Sequence, residues 1–117
     1  VIGDDSYPIV EIVPKHDLYD YDCKYTKGMT EYICPADLPD SLTKSIQESS
    51  VKIHHLLGCR HYSRVDFRLD ENNKAWFLEV NTLPGMTETS LVPKSVAASG
   101  LSFSELIQII IKEAMKD

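Results

Sequence analysis

"RVDFRLDENNKAWFLEVN", residues 64–81, carries two runs of alternating polar and apolar side chains around a polar centre, the pattern of two strands joined by a turn. Asn tolerates positive φ, so Asn72-Asn73 are expected as the central pair of a tight turn. In that register Asp66 faces Glu79, and Arg64 faces Asn81. Cross-strand partners share a face of the sheet, so these four polar residues lie together at one end. The opposite face is expected to be wholly apolar, with Val65, Phe67 and Leu69 set against Val80, Leu78 and Trp76.

Two opposed carboxylates repel by about 3 kcal/mol at about 5 Å if the effective dielectric is about 20. A divalent cation between them would remove that cost, and carboxylate plus amide oxygens suit Mg²⁺. A solvated polar face with flexible side chains is the other reading of the same pattern. Downstream, "TLPGMTETSLVP" (82–93) places Gly85 where backbone can approach a ligand closely. Thr87, Thr89 and Ser90 then lead into an apolar helix, gathering hydroxyls and free N–H groups at its start. Such a start binds anions, although Ser90 also suits a plain N-cap.

Outward from this centre, residues 7–13 (YPIVEIV) read as a strand closed by Pro14, and residues 31–34 as a short strand ended by Pro35. Between them, residues 15–30 are polar and tyrosine-rich, long for a connection in a compact domain, and such loops are usually functional or disordered. A helix follows with Asp40 as its expected N-cap, an apolar stripe at Leu42, Ile46, Ile53, Leu56 and Leu57, and Gly58 as its stop. Another helix is expected over about 90–99, ending at Gly100. The last helix opens with a capping box, Ser102-x-x-Glu105, and its expected stripe is Phe103, Leu106, Ile107, Ile110, Ile111 and Ala114.

The chain has 117 residues, enough for one modest two-layer domain, and 43% are apolar. A net charge of −6 without a Lys/Arg stripe argues against a nucleic-acid partner. No apolar run approaches membrane-spanning length, and no signal-peptide pattern opens the chain. Three widely spaced cysteines indicate free thiols in a reducing, cytoplasmic setting. His54 and His55 are adjacent, a poor metal pair on a helix, and read as structural. The chain begins with Val1 rather than Met, and a piece of a longer protein is expected.

With Arg64-x-Asp66, Glu79-x-Asn81 and "PGMT" (84–87) in one frame, the chain resembles the ATP-grasp ligases. More narrowly it resembles the C-terminal part of D-alanine–D-alanine ligases, through "YDYDCKY", "YICPADLP", "LGCRHYSRVDFRLD", "FLEVNTLPGMT" and "SLVPKSVAASG". These stretches span residues 19–100, and the "EVNTLPGMT" and "SLVPK" pair is the most specific part. The implied fold is α+β: an antiparallel β-sheet with helices packed on one face, the C-terminal portion of an ATP-grasp fold. All of residues 1–117 would form this single unit, with the N-terminal and central regions of the ligase absent and 15–30 as a mobile active-site loop.

The resemblance implies that ATP phosphorylates one D-alanine, and that the amine of a second attacks the acylphosphate, giving D-Ala–D-Ala for peptidoglycan. Asp66, Glu79 and Asn81 would hold two Mg²⁺, or Mn²⁺ in their place, with Glu79 bridging. Arg64 would stabilise the transferring phosphoryl group, and the Gly85 N–H would donate to the oxyanion. Ser90 and the Leu91 N–H would hold the carboxylate of the second D-alanine, and Leu78 would pack beside the adenine. Lys24 would reach a phosphate, and Tyr25 would help close the site and favour the dipeptide product. A homodimer is compatible with this family. Leu18 stands where many relatives carry an aromatic, and Glu88-Thr89 where Ser-His is common. The isolated chain is expected to be inactive. The alternatives are a D-Ala–D-lactate ligase, another ATP-grasp carboxylate–amine ligase, or a non-catalytic nucleotide- or Mg²⁺-binding module.

Overall fold

Asp70 turns the central hairpin. In this computed structural model, which describes residues 1–14 and 30–116, its carboxylate accepts the N–H groups of Asn72 (2.8 Å) and Lys74 (2.9 Å) and the Trp76 indole N–H (3.1 Å). Those bonds, from Lys74 first and Trp76 next, hold the Asp70 carboxyl below its ordinary range. The Asn73 N–H closes the turn on the Asp70 carbonyl, and Asn73 itself takes a φ of 61°. This is a type I turn followed by a left-handed residue, one residue longer than the tight turn expected, because Asp favours the first position of such a turn.

The longer turn moves the tip of the ladder by one residue. Strand β3 (Arg64–Leu69) pairs with β4 (Ala75–Asn81) as Leu69↔Ala75, Arg68↔Trp76 and Phe67↔Phe77. The ladder then skips Leu78 in a β-bulge and continues as Asp66↔Glu79, Val65↔Val80 and Arg64↔Asn81. The expected pairings of Phe67 with Leu78 and Leu69 with Trp76 are therefore corrected. Phe77, not Leu78, meets Phe67, edge to face at 6.2 Å between centroids. Trp76 lies on the opposite side, bonded to Asp70 and covered by the Lys74 ammonium at 4.4 Å. Two one-residue offsets cancel, so Asp66 and Glu79 meet as expected.

The second ladder joins β1 (Glu11–Pro14) to β2 (Thr30–Ile33), also antiparallel. β1 starts later than the expected residue 7 because the preceding carbonyls are committed elsewhere. Tyr7 O accepts from the Gln47 amide, Pro8 O from the Ser95 hydroxyl and Ile9 O from the Ala36 N–H. Thr30, expected within the connecting loop, belongs to β2. The class is the expected α+β with antiparallel pairing, divided into two two-stranded ladders among the described residues.

Three helices complete this set: α1 (Asp40–Leu56), α2 (Leu91–Ala98) and α3 (Phe103–Ala114). Pro39 occupies the N-cap of α1 and Asp40 its first turn, where the carboxylate complements the helix dipole instead of capping. Gly58, with φ of 70°, gives the exit after α1. The Ser102–Glu105 capping box forms as read. Ile2, Val96 and Leu106 make the buried core, with Met86, Val92, Ile109 and Ile110 packed on it. α3 thus points Leu106, Ile109 and Ile110 inward, adding Ile109 to the expected stripe, and leaves Phe103 and Ile111, which belonged to that stripe, exposed. No single helix among the described residues is long and apolar enough to cross a membrane.

α1 is pinned to the start of β3 by a buried bond, His54 Nδ1 to Ser63 Oγ at 2.7 Å, next to Arg64 in sequence. Burial above all lowers the His54 pKa from its ordinary 6.5. The unfolded chain then binds a proton there more readily than the fold does. Stability should hold above about pH 6.5 and fall below it. Melting temperatures between pH 8 and pH 5 should show that decline, with a shallower slope in His54→Gln. In denaturant unfolding, Leu106→Ala should cost about 2–5 kcal/mol. Ile111→Ala, at a residue 53% exposed, should cost less than about 1 kcal/mol.

Candidate active site

The polar end of the β3–β4 hairpin holds its own cation. The Arg64 guanidinium forks onto Asp66, Nε to Oδ1 at 2.8 Å and Nη2 to Oδ2 at 3.0 Å. Nη2 also lies 3.8 Å from Glu79 Oε1. The opposed carboxylates are therefore bridged by a planar donor, which suits two-pronged contact better than a point charge. Like-charge repulsion across the ladder is met within the chain, a solution that the paired arrangement of Asp66 and Glu79 had hidden. Arg64 and Asp66 are about three-quarters covered, while the Glu79 side chain is 65% exposed. Asn81, opposite Arg64, turns its Oδ1 to accept the Leu83 N–H at 2.9 Å, which fixes the amide as the strand ends.

Among the described residues no three His, Cys, Asp or Glu side chains form a metal-holding group. The donors present here are two carboxylates and one amide oxygen. Arg64 takes one acceptor position on each Asp66 oxygen, and Leu83 takes one on Asn81, so all three oxygens keep a lone pair. Glu79 remains open to solvent. An all-oxygen set of this kind fits a hard divalent cation beside the guanidinium.

Gly85 is held between two anchors, the buried Pro84 and Met86 packed on the core. A side chain at Gly85 would put its Cβ 3.0 Å from Ser90 Oγ, so the glycine leaves room for that hydroxyl. Ser90 occupies the N-cap of α2, yet its side chain caps nothing. The third helical residue is Pro93, which has no N–H to offer a capping oxygen. Ser90 Oγ instead accepts the Thr87 N–H at 3.1 Å and lies 2.7 Å from Thr87 Oγ1. The first N–H groups of α2, at Leu91 and Val92, therefore open the helix without a side-chain cap.

One open groove, about 2000 Å³ in volume, joins the two parts. Arg64, Asp66, Glu79 and Asn81 line one stretch of it, and Gly85, Ser90 and Leu91 another. Leu78, the extra residue of the bulge, is 60% exposed and also lines the groove. Bulges re-aim side chains near functional sites, and nothing in the alternation of the strand announced this one. Lys24 and Tyr25, like all of residues 15–29, lie outside the described residues.

The family described as "D-ala D-ala ligase C-terminus" matches residues 1–112. A D-alanine–D-alanine ligase of Novosphingobium aromaticivorans is 48% identical across all of this chain, which spans 38% of that relative. The ATP-complexed D-alanine–D-alanine ligase of Bacillus anthracis superposes with a TM-score of 0.80 at 33% identity, covering 99% of this chain and 38% of the other. The VanG D-Ala:D-Ser ligase of Enterococcus faecalis gives 0.75 at 34% identity, covering 95% of this chain and 33% of the other. The chain thus spans under two-fifths of these proteins. It belongs to the family of D-alanine–D-alanine ligase C-terminal regions, an α+β portion of the ATP-grasp fold.

Proposed function

We propose that this chain is the catalytic C-terminal part of an ATP-dependent ligase that joins two D-alanines. The observation that carries this reading is the single groove lined by Arg64, Asp66, Glu79, Asn81, Gly85 and Ser90, the described positions matched to the family's motifs. In the proposed reaction the γ-phosphoryl group of ATP passes to a carboxylate oxygen of the first D-alanine, its bond to the bridging oxygen breaks, and ADP leaves. The neutral amine of the second then attacks the acyl carbon, the C–N bond forms, the nitrogen gives up a proton, and the C–O bond to phosphate breaks to release inorganic phosphate.

Each residue is given work its surroundings suit. Asp66, Glu79 and Asn81 would hold two Mg²⁺, or Mn²⁺, which when bound neutralise nucleotide phosphates. Arg64 sets its positive charge against the transferring phosphoryl group. Its Asp66 fork fixes the guanidinium plane before substrate arrives, so little reorganisation is required. The Gly85 N–H donates to the developing oxyanion. Ser90 Oγ and the Leu91 N–H receive the carboxylate of the second amino acid at the uncapped start of α2. Leu78 offers an apolar surface to the adenine. By resemblance, Lys24 binds a phosphate and Tyr25 favours the dipeptide.

A second reading changes only the acceptor. The chain matches a D-Ala:D-Ser ligase as well as it matches the Bacillus enzyme in identity. D-serine therefore belongs beside D-lactate among the acceptors to be tried.

The test is phosphate release from ATP and Mg²⁺ by the full-length protein. D-alanine alone should support release, EDTA should stop it, and the isolated 117-residue chain should give none. Glu79→Gln should lower the rate by about 100-fold or more while the melting temperature stays near that of the parent. Silence from a folded full-length protein, or release that needs D-serine or D-lactate, would overturn the D-alanine dipeptide reading. Gly85→Ala should raise KM for the second amino acid, because the new Cβ presses on Ser90 Oγ. Unchanged steady-state kinetics would remove that contact from the account.

A further inference from the structure

Lys94 lines the same groove as the site, yet the reaction proposed above gives it no part. It is tied at three points. Its backbone N–H donates to the Ser90 carbonyl at 3.1 Å, the bond that closes the first turn of α2. Its own carbonyl accepts from Cys34 Sγ at 3.8 Å. Its ammonium lies over the Tyr32 ring, 5.2 Å from the centroid, within range of a cation–π attraction. Burial, the larger influence, raises the Cys34 pKa, which keeps the thiol protonated and able to donate. The next residue, Ser95, adds a hydroxyl bond to Pro8 O. Consecutive α2 residues are thus fastened to the β1–β2 ladder and the chain on either side of it.

We propose that Lys94 is a positioning residue for the acceptor amino acid: its contact with Tyr32 holds the first turn of α2, and so Ser90, against the β1–β2 ladder. The inference rests on the role given to Ser90 above. Ser90 needs such outside support because its side chain does not cap the helix it begins. An eight-residue helix is also too short to hold its own first turn. Lys94 touches no reacting atom in this scheme, so its effect falls on acceptor binding rather than on phosphoryl transfer.

The test compares steady-state kinetics and amide exchange in variants of the full-length protein. Lys94→Met, which keeps an unbranched stem and removes the ammonium, should raise KM for the second D-alanine about 2–5-fold, the scale of a partly exposed cation–π contact. KM for ATP should stay unchanged, and kcat within about twofold. Tyr32→Leu should behave alike. Lys94→Arg and Tyr32→Phe, which preserve a cation and a ring, should stay near the parent. The Lys94→Met/Tyr32→Leu double variant should be no worse than either single one. Amide exchange over residues 90–95 should quicken in the Met and Leu variants. Parental KM and exchange in Lys94→Met would overturn the proposal, as would additive losses in the double variant. If the parent itself released no phosphate, the ligase reading would fall, and the exchange data would still decide whether the latch exists.

Discussion

The contact between Arg64 and the opposed carboxylates of Asp66 and Glu79 sets the terms for the rest of the molecule. Two acidic side chains on one face of a hairpin demand a positive partner, and a fork from Arg64, on the same strand as Asp66, supplies one. The other constraints keep that fork at its place. His54 ties the long helix to Ser63, the residue before Arg64. The Val65–Val80 and Phe67–Phe77 pairs occupy the opposite face of the ladder. A guanidinium committed to one carboxylate and near a second is preorganised, and its remaining donors are the ones a ligand would find.

The loop after β4 follows a different logic. Here no charge is paired, and position comes from packing and from what is missing. Pro84 and Met86 hold the chain on the core, Gly85 has no side chain, and Pro93 has no N–H. The missing side chain leaves room for Ser90 Oγ, and the missing N–H leaves that hydroxyl to Thr87 and the start of α2 without a side-chain cap. The two halves of the groove are thus built by different means, one by satisfying charge and the other by leaving a helix start uncapped.

Much of this was legible from the residues. The polar side chains at 64, 66, 79 and 81 fell on one face because the members of each strand's pair are two residues apart, and the capping box at Ser102 and Glu105 declared the last helix. What was not legible depended on geometry beyond the neighbouring residues. Asp70 drew the turn one residue longer through three bonds that no period encodes. Leu78 was placed in register when it sits outside it, since an apolar residue looks the same in a bulge as in a ladder. β1 began late because carbonyls at Tyr7, Pro8 and Ile9 had distant donors. Arg64 bridging its neighbour required knowing a rotamer, and the failed cap at Ser90 required connecting it with Pro93. The family likeness reached the site by motif, where local physics left metal and solvated readings level.

The bulge at Leu78 has a consequence for how this hairpin can change. It makes two rulers of one strand pair, a distal one counted from Asp70 and a proximal one counted from Arg64. A plain ladder carried inward from the observed turn would set Asp66 opposite Leu78 and send Glu79 to the apolar face. Loss of Leu78 alone would iron out the strand and leave the Asp66–Glu79 pairing in place. Gain of a residue at the tip would have a point at which to be absorbed before it reached the charges. The hairpin thus contains an expansion joint, and length variation at its solvent end need not be paid in register at its chemical end.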